Sequence, residues 1–124
     1  MDTQIPGGRN QALGTYGERL AERYLCARGM TILDRNWRCP AGEIDLVLRE
    51  GDVLVLCEVK TRRHVRRGHP FEAVTGVKLE RLHRLAALWQ EARQVRPADV
   101  RLDMVGVLVP RRGVPQVEHV RGVG

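Results

Sequence analysis

A near-continuous apolar segment in the middle of the chain places the strongest constraint on the fold. Val53 to Cys57 is fully apolar, and the same near-apolar pattern runs on, broken by Glu58, as far as Lys60. Such a run is typical of a strand covered on both faces, whereas a strand with one solvated face alternates between apolar and polar residues. The sequence therefore predicts a central strand over residues 53–60.

The patterns around this segment alternate between helical and extended. The predicted elements are a helix over 15–28, strands over 30–37 and 43–49, the central strand, a helix over 75–93, and strands over 100–109 and 114–120. Pro115 favours an edge position for the last strand, because proline cannot donate to a ladder. This order predicts an α/β or α+β fold built on a mixed sheet. We expect residues 1–12 to be a flexible N-terminus and residues 13–124 to form a single domain.

The start of the first helix carries two competing signals. Thr15 to Glu18 fits a capping box, in which a hydroxyl and an acid three residues later satisfy the first backbone N–H groups. Glu18 is then either the acid of that cap or a member of a functional site further along the chain. Gly29 fits a C-terminal stop for the same helix.

Positive charge is concentrated in one short segment. The chain has 21 Lys and Arg against 15 Asp and Glu, which gives a net charge of +6. Residues 60–70 hold five of the basic residues and no acid: Lys60, Arg62, Arg63, Arg66 and Arg67. Clustered positive charge favours a polyanion such as nucleic acid, or an anionic membrane surface. A solvated arginine-rich loop is the alternative.

Several classes of protein are excluded. A membrane span needs about 18 apolar residues, far more than the Val53–Cys57 run supplies. The N-terminus has no basic start followed by an apolar stretch, so we expect no secretory signal there. The three cysteines, Cys26, Cys39 and Cys57, lack zinc spacing and predict reduced thiols in a cytoplasmic protein.

Three side chains on two neighbouring predicted strands carry the chemistry. Glu58 and Lys60 are two residues apart on one strand and so project from the same face. A two-residue turn at Glu50-Gly51 would place Glu43 opposite Glu58 and Asp45 diagonal to it on that face. Two close carboxylates stay ionised when a divalent cation such as Mg²⁺ lies between them, and a lysine beside them can orient an attacking water.

Simpler roles exist for these and other polar residues. Lys60 could form an ordinary ion pair with Glu58 or Glu43, and Glu43 could pair with Arg62. Lys78 could reach the site or a phosphate, or its stem could cover the core. Asp103, in an apolar strand, is expected to pair with an arginine. His64 and His69 suit phosphate contact better than zinc, and Trp37 and Trp89 suit the core.

A set of ordered motifs resembles the YraN family. The motifs are Gly17-Glu18, Asn36-Trp37-Arg38, Gly42-Glu43-Ile44-Asp45, Glu58-Val59-Lys60-Thr61-Arg62, and Lys78 with Arg81-Leu82. YraN proteins are small bacterial proteins assigned to the restriction-endonuclease-like PD-(D/E)XK superfamily. The arrangement is also similar to that of archaeal Holliday-junction resolvases. In this chain Ile44 precedes the aspartate, where the superfamily pattern has proline.

The resemblance implies a fold, a site and an activity. The fold would be restriction-endonuclease-like α/β, a mixed four- to five-stranded sheet flanked by helices, making residues 13–124 a nuclease-like domain. Asp45, Glu58 and the Val59 carbonyl would bind Mg²⁺ or Mn²⁺, Lys60 would position water, and Glu18 would complete the site.

We therefore predict a metal-dependent endonuclease that acts on DNA, including branched DNA. The residues expected to contact the nucleic acid are Arg62, Arg63, Arg66, Arg67 and Lys78. The alternatives are a catalytically inactive nucleic-acid-binding or adaptor module on the same fold, and a structural protein in which the acids and Lys60 form ion pairs. Because junction resolvases act as dimers, a homodimer is among the expected assemblies.

Overall fold

The structure, a computed structural model, describes residues 4–64 and 76–123. Two helices and five strands are present in this part of the chain. In order they are α1 (Gln4–Ala27), β1 (Thr31–Cys39), β2 (Gly42–Glu50), β3 (Val53–Arg62), α2 (Gly76–Arg93), β4 (Asp99–Leu108) and β5 (Gln116–Val120). The predicted type and order of every element are confirmed, with bounds that differ by a few residues except at the start of α1.

The five strands form one mixed sheet in the order β1-β2-β3-β4-β5. Neighbouring strands are antiparallel except β3 and β4, which run parallel. β3 is central and β5 lies at an edge, as predicted. The predicted α/β class, a mixed sheet of four to five strands flanked by helices, is confirmed.

Apolar side chains cover both faces of β3. On one face Val55 and Cys57 belong to a buried cluster that includes Leu25 of α1. On the other face Leu56 packs in a second cluster with Leu85 and Trp89 of α2. Alternate residues of one strand therefore enter two separate cores, which explains why its sequence is almost continuously apolar.

The β2–β3 hairpin has a different register from the predicted one. Glu50 pairs with Val53 and Leu46 pairs with Cys57, so the two-residue turn is Gly51-Asp52 rather than Glu50-Gly51. The expected pairing of Glu43 with Glu58 is therefore wrong. The observed register differs from the predicted one by two residues. Because side chains alternate with a period of two, each β2 residue from Leu46 to Glu50 keeps the face that was predicted for it.

The first helix starts earlier than the sequence pattern predicted. α1 begins at Gln4, so Thr15 lies inside the helix and the predicted capping box is wrong. Pro6 is compatible with this start, because a first-turn N–H has no partner within the helix in any case. The predicted stop is confirmed: Gly29 follows the helix with a φ of 96°. The flexibility expected of residues 1–12 concerns motion and stays a prediction.

Asp103 is fully buried and holds the edge strand to the sheet. Its carboxylate accepts hydrogen bonds from Arg101 at 2.8 and 2.9 Å and from the backbone N–H of Gly122 at 3.0 Å. His119 of β5 lies 2.7 Å away. The predicted pairing with an arginine is confirmed, and the site is structural.

Gly17 lets α1 approach β3 closely. A Cβ atom at this position would lie 2.7 Å from Cγ2 and 2.8 Å from Cβ of Thr61. Carbon atoms cannot approach that closely, so only glycine fits here. This contact sets the position of the helix, and hence of Glu18, relative to the end of β3.

We expect Gly17→Ala to destabilise the protein by about 1–3 kcal/mol, because the added methyl group overpacks the contact with Thr61. Urea unfolding measures the difference. Gly14→Ala is the matched control in the same helix, since a Cβ there meets nothing within 4 Å. The control should gain up to about 1 kcal/mol from helix propensity. Equal stability of the two variants would contradict the close-contact explanation.

Candidate functional site

The site lies where β2 separates from β3. The paired part of the hairpin ends at Leu46 and Cys57. Beyond it, the backbone N–H of Val59 donates a hydrogen bond of 2.8 Å to the Oδ2 atom of Asp45. A carboxylate thus serves as the acceptor for a strand N–H, and this fixes Asp45 beside the residues that follow Cys57.

The regular alternation of β2 side chains between the two faces of the sheet is interrupted at the same point. Leu46 and Leu48 belong to the α1-side core, whereas Ile44 packs in the α2-side core. The alternating sequence of residues 43–49 predicts Ile44, Leu46 and Leu48 on one face of the strand, and this prediction is wrong for Ile44. The change has a physical cause: β2 is no longer held in register with β3 beyond Leu46, so the alternation of faces is interrupted at Asp45.

Glu58 and Lys60 face α2, where they meet the second lysine of the chain. The Nζ atom of Lys78 lies 3.0 Å from Oε2 of Glu58, and both side chains are largely buried. Burial and a hydrogen bond with Lys78 lower the pKa of Lys60, against the opposing effect of Glu58 and Asp45. Of the roles considered for Lys78, the structure supports the one in which it reaches the site.

Four carboxylates act on one another electrostatically. Burial raises the pKa of Asp45 to about 6, and the charges of Glu58, Glu18 and Glu43 add to that effect. The Val59 N–H opposes it by stabilising the charged form. The pKa of Glu18 is also raised, first by burial, while a hydrogen bond with Asn36 lowers it. α1 thus contributes Glu18 to the acidic group, and its membership of a metal site stays a prediction.

Asn36 is a site residue that sequence analysis did not assign. It lies in β1 with a φ of 50°, a conformation that asparagine tolerates better than most residues. Its side chain hydrogen-bonds Glu18. The signal available in the sequence was the Asn36-Trp37-Arg38 motif, which supported the family resemblance without indicating a role.

The donor set suits a hard divalent cation. Asp45 and Glu58 supply carboxylate oxygens, the donor type that Mg²⁺ and Mn²⁺ prefer. Within residues 4–64 and 76–123, no three His, Cys, Asp or Glu side chains lie close enough to form a metal site by themselves. Mg²⁺ does not require such a cage, because it is commonly held by one or two carboxylates with water and substrate phosphates. The residues present therefore fit this ion and do not fit structural zinc.

The remaining predicted residues have the following positions. Glu43 pairs with Arg38 at 3.0 Å and not with Arg62. Arg62 ends β3 and Arg63 follows it, and both are exposed. Trp37 and Trp89 contribute to the α2-side core, as expected. Arg66, Arg67 and His69 fall outside the described residues.

These features define a class of protein: an α/β protein with an acidic, lysine-containing site where two central strands separate. The particular family follows from sequence comparison. Residues 17–107 match the family described as uncharacterised protein family UPF0102, and the chain belongs to that family. This confirms the resemblance to YraN proteins.

Curated relatives match the chain over nearly its whole length. A UPF0102 protein of Nocardioides sp. (strain ATCC BAA-499 / JS614) is 61% identical over 100% of both chains. One from Streptomyces griseus is 58% identical over 90% of this chain and 95% of its own. The structure of Pyrococcus furiosus SfsA in complex with Ca²⁺ is similar at a TM-score of 0.41 and 16% identity, over 93% of this chain and 64% of that chain.

Neither of the two described helices is long and apolar enough to cross a membrane.

We expect Asp45→Asn to stabilise the metal-free protein at pH 8 by roughly 1–3 kcal/mol, at 1.36 kcal/mol per pKa unit. The folded-state pKa of Asp45, about 6, lies above its ordinary value of 3.8, so folding favours the protonated form. That contribution is complete below pH 3.8 and is lost as the pH rises through about 6. The advantage of the variant should therefore vanish near pH 4.

Urea unfolding in EDTA at both pH values measures this difference. Asp52→Asn, at an exposed position in the hairpin turn, is the control and should leave the free energy of unfolding nearly unchanged. An Asp45→Asn effect that is the same at both pH values would contradict the burial of an ionisable carboxylate at this position.

Proposed function

We propose that this protein is a metal-dependent endonuclease of the restriction-endonuclease-like type that hydrolyses phosphodiester bonds in DNA, including branched DNA. One observation carries the proposal. Asp45, Glu58 and Lys60 come together at the point where β2 leaves β3, although carboxylates and a lysine on a covered strand are costly without a ligand or partner. The arrangement has the residue types that phosphodiester hydrolysis needs.

Asp45 and Glu58 are the residues that would hold Mg²⁺ or Mn²⁺, with the Val59 carbonyl as a further donor. Such an ion, when bound, neutralises charge on the phosphate and lowers the pKa of a bound water. The Val59 N–H orients one oxygen of Asp45, which leaves the carboxylate in a fixed position beside Glu58. Glu18, on α1, adds negative charge at the edge of the site.

Lys60 has the position of a water-orienting or phosphate-stabilising cation. It projects from the same face of β3 as Glu58, two residues further along the strand. Its ammonium group can hold the attacking water in line with the phosphorus atom or stabilise charge on the pentavalent phosphate. Lys78 supplies a second positive charge next to it.

The basic segment supports a polyanionic substrate. Lys60 belongs to the stretch of residues 60–70 that holds five basic residues and no acid. Arg62 and Arg63 are exposed where β3 ends, a few residues beyond the carboxylates. A phosphate backbone bound along this segment would be guided toward the site. Arg66 and Arg67 are proposed for the same role from the sequence alone.

A second candidate function is favoured by one contact. The ion pair of 3.0 Å between Lys78 and Glu58 already compensates the charge of Glu58. A protein that never bound a metal could keep this pair, and would then be a nucleic-acid-binding or adaptor module without catalysis. The two proposals differ in one result, which is whether cleavage depends on a divalent cation and on Glu58.

Location and assembly complete the proposal. The three cysteines are all free, which supports a reducing compartment such as the cytoplasm. A homodimer, in which two sites cut two strands, is proposed from the resemblance to junction resolvases.

We expect the wild-type protein to cleave labelled branched DNA in Mg²⁺ or Mn²⁺, and Glu58→Ala and Lys60→Ala to lower the rate at least about 100-fold, because each removes a group that acts on the reacting phosphate. Single-turnover cleavage on denaturing gels measures the rates. Glu80→Ala, an exposed glutamate of α2, is the matched control and should cleave like wild type. Equal cleavage by all four proteins would indicate a contaminating nuclease and would reject the site. Binding without metal-dependent cleavage would support the second candidate.

A further inference from the structure

A cleft outside the carboxylate site combines an aromatic ring with basic side chains. It lies between α1 and the chain segments that follow β3 and β4. The lining includes Leu13 and Tyr16 from α1, Arg63 and His64 after β3, and Val109 and Arg111 after β4. None of the described residues that line it is acidic.

We propose that this cleft binds one unpaired nucleotide of a single-stranded nucleic acid, with its base stacked on Tyr16 and its phosphate on Arg63 and Arg111. This inference rests on the nucleic-acid-binding part of the proposed function and does not depend on cleavage. It assigns a substrate feature, an unpaired base, that the carboxylate site does not specify.

Because β3 and β4 are parallel, the two arginines that follow them lie at the same end of these strands. Arg62 pairs with Leu108 at the ends of these strands. Just beyond, the Val109 N–H donates a hydrogen bond of 2.7 Å to the Arg62 carbonyl, which holds the two outgoing segments together. Arg63 and Arg111 therefore converge on one cleft from two elements that are far apart in sequence. Two guanidinium groups at one site suit a phosphate, which they can bind through several N–H donors.

Tyr16 is suited to stacking because its ring remains accessible. Tyr16 is 45% exposed and is one of four large hydrophobic residues that are exposed in the described part of the chain. Among the described residues no other aromatic ring packs against it, and Leu13 and Val109 add apolar side chains to the lining of the cleft. Successive bases commonly stack on such rings in proteins that bind single strands, beside a positively charged groove.

An unpaired base fits this cleft better than a duplex does. In a duplex both faces of each base are covered by its neighbours, so a tyrosine ring can stack only on a base that has left the helix. Tyr16 also precedes Gly17 in α1, which packs on Thr61 of β3, so the cleft lies near the end of that strand.

The test is equilibrium binding in EDTA, where metal-dependent cleavage cannot occur. The probes are a fluorescent oligothymidylate, the same strand with abasic sites, and a blunt duplex of equal length. We expect Tyr16→Ala to raise the Kd for oligothymidylate about fivefold or more and for the duplex by less than about twofold, since one stacked base is lost. Tyr16→Phe, which keeps the ring, should bind like wild type.

Two further measurements make the test specific. The abasic strand should bind wild type and Tyr16→Ala equally, because neither complex has a base to stack. Arg111→Gln should reduce the slope of log K against log salt by about 0.7, the loss of one phosphate contact on a single strand. Arg96→Gln, an exposed arginine beside the hairpin turn at the other end of β3, is the matched control and should leave the slope unchanged.

The outcomes separate this inference from the proposed activity. Equal loss of affinity for single strand and duplex in Tyr16→Ala, or unchanged affinity for both, would overturn the inference even if the protein cleaves DNA. Loss confined to the base-containing single strand would support it even if no cleavage is found. Thermal unfolding of Tyr16→Ala checks that the variant is folded. If it is not, wild type alone tests the inference, because it should bind oligothymidylate more tightly than the abasic strand, and equal affinity for the two would overturn the inference.

Discussion

Strand β3 is covered on both faces, so each polar group on it needs a partner inside the protein or a bound ligand. Its apolar residues divide between the α1-side and α2-side cores. Glu58 is the charged residue that this arrangement buries on the strand, and it is matched by Lys78 from α2. The cost of burying charge at the centre of the sheet is the physical reason to treat this place as a functional site.

The candidate site lies where β2 separates from β3. Where the ladder ends, Asp45 accepts the Val59 N–H and so stands beside Glu58 without a strand pair between them. Because β3 and β4 are parallel, both strands end on the same side of the sheet, where Arg63 and Arg111 line one cleft. Glu58 and Lys60 lie on β3 itself, Asp45 comes from β2, and Arg63 follows the end of β3.

Much of the fold and the acidic pair could be predicted from the sequence, because the patterns that indicate them are local. The apolar run and the alternating patterns predicted the central strand, the edge strand and the mixed sheet, and the family motifs predicted the acidic pair. The register of the β2–β3 hairpin could not be predicted from the sequence. Glu50, Gly51 and Asp52 all suit a turn, and the choice among them depends on packing. The ion pair between Lys78 and Glu58 could not be predicted either, because it joins two elements that are far apart in the sequence.

The central claim is that Asp45 and Glu58 bind a divalent cation together. Anomalous diffraction from crystals soaked in Mn²⁺ tests it most directly, because it locates the ion without relying on activity. We predict one strong peak between the two carboxylates, within about 2.0–2.6 Å of their oxygens, and its loss in crystals of Asp45→Asn. A peak elsewhere, or none while Lys78 remains paired with Glu58, would contradict the claim.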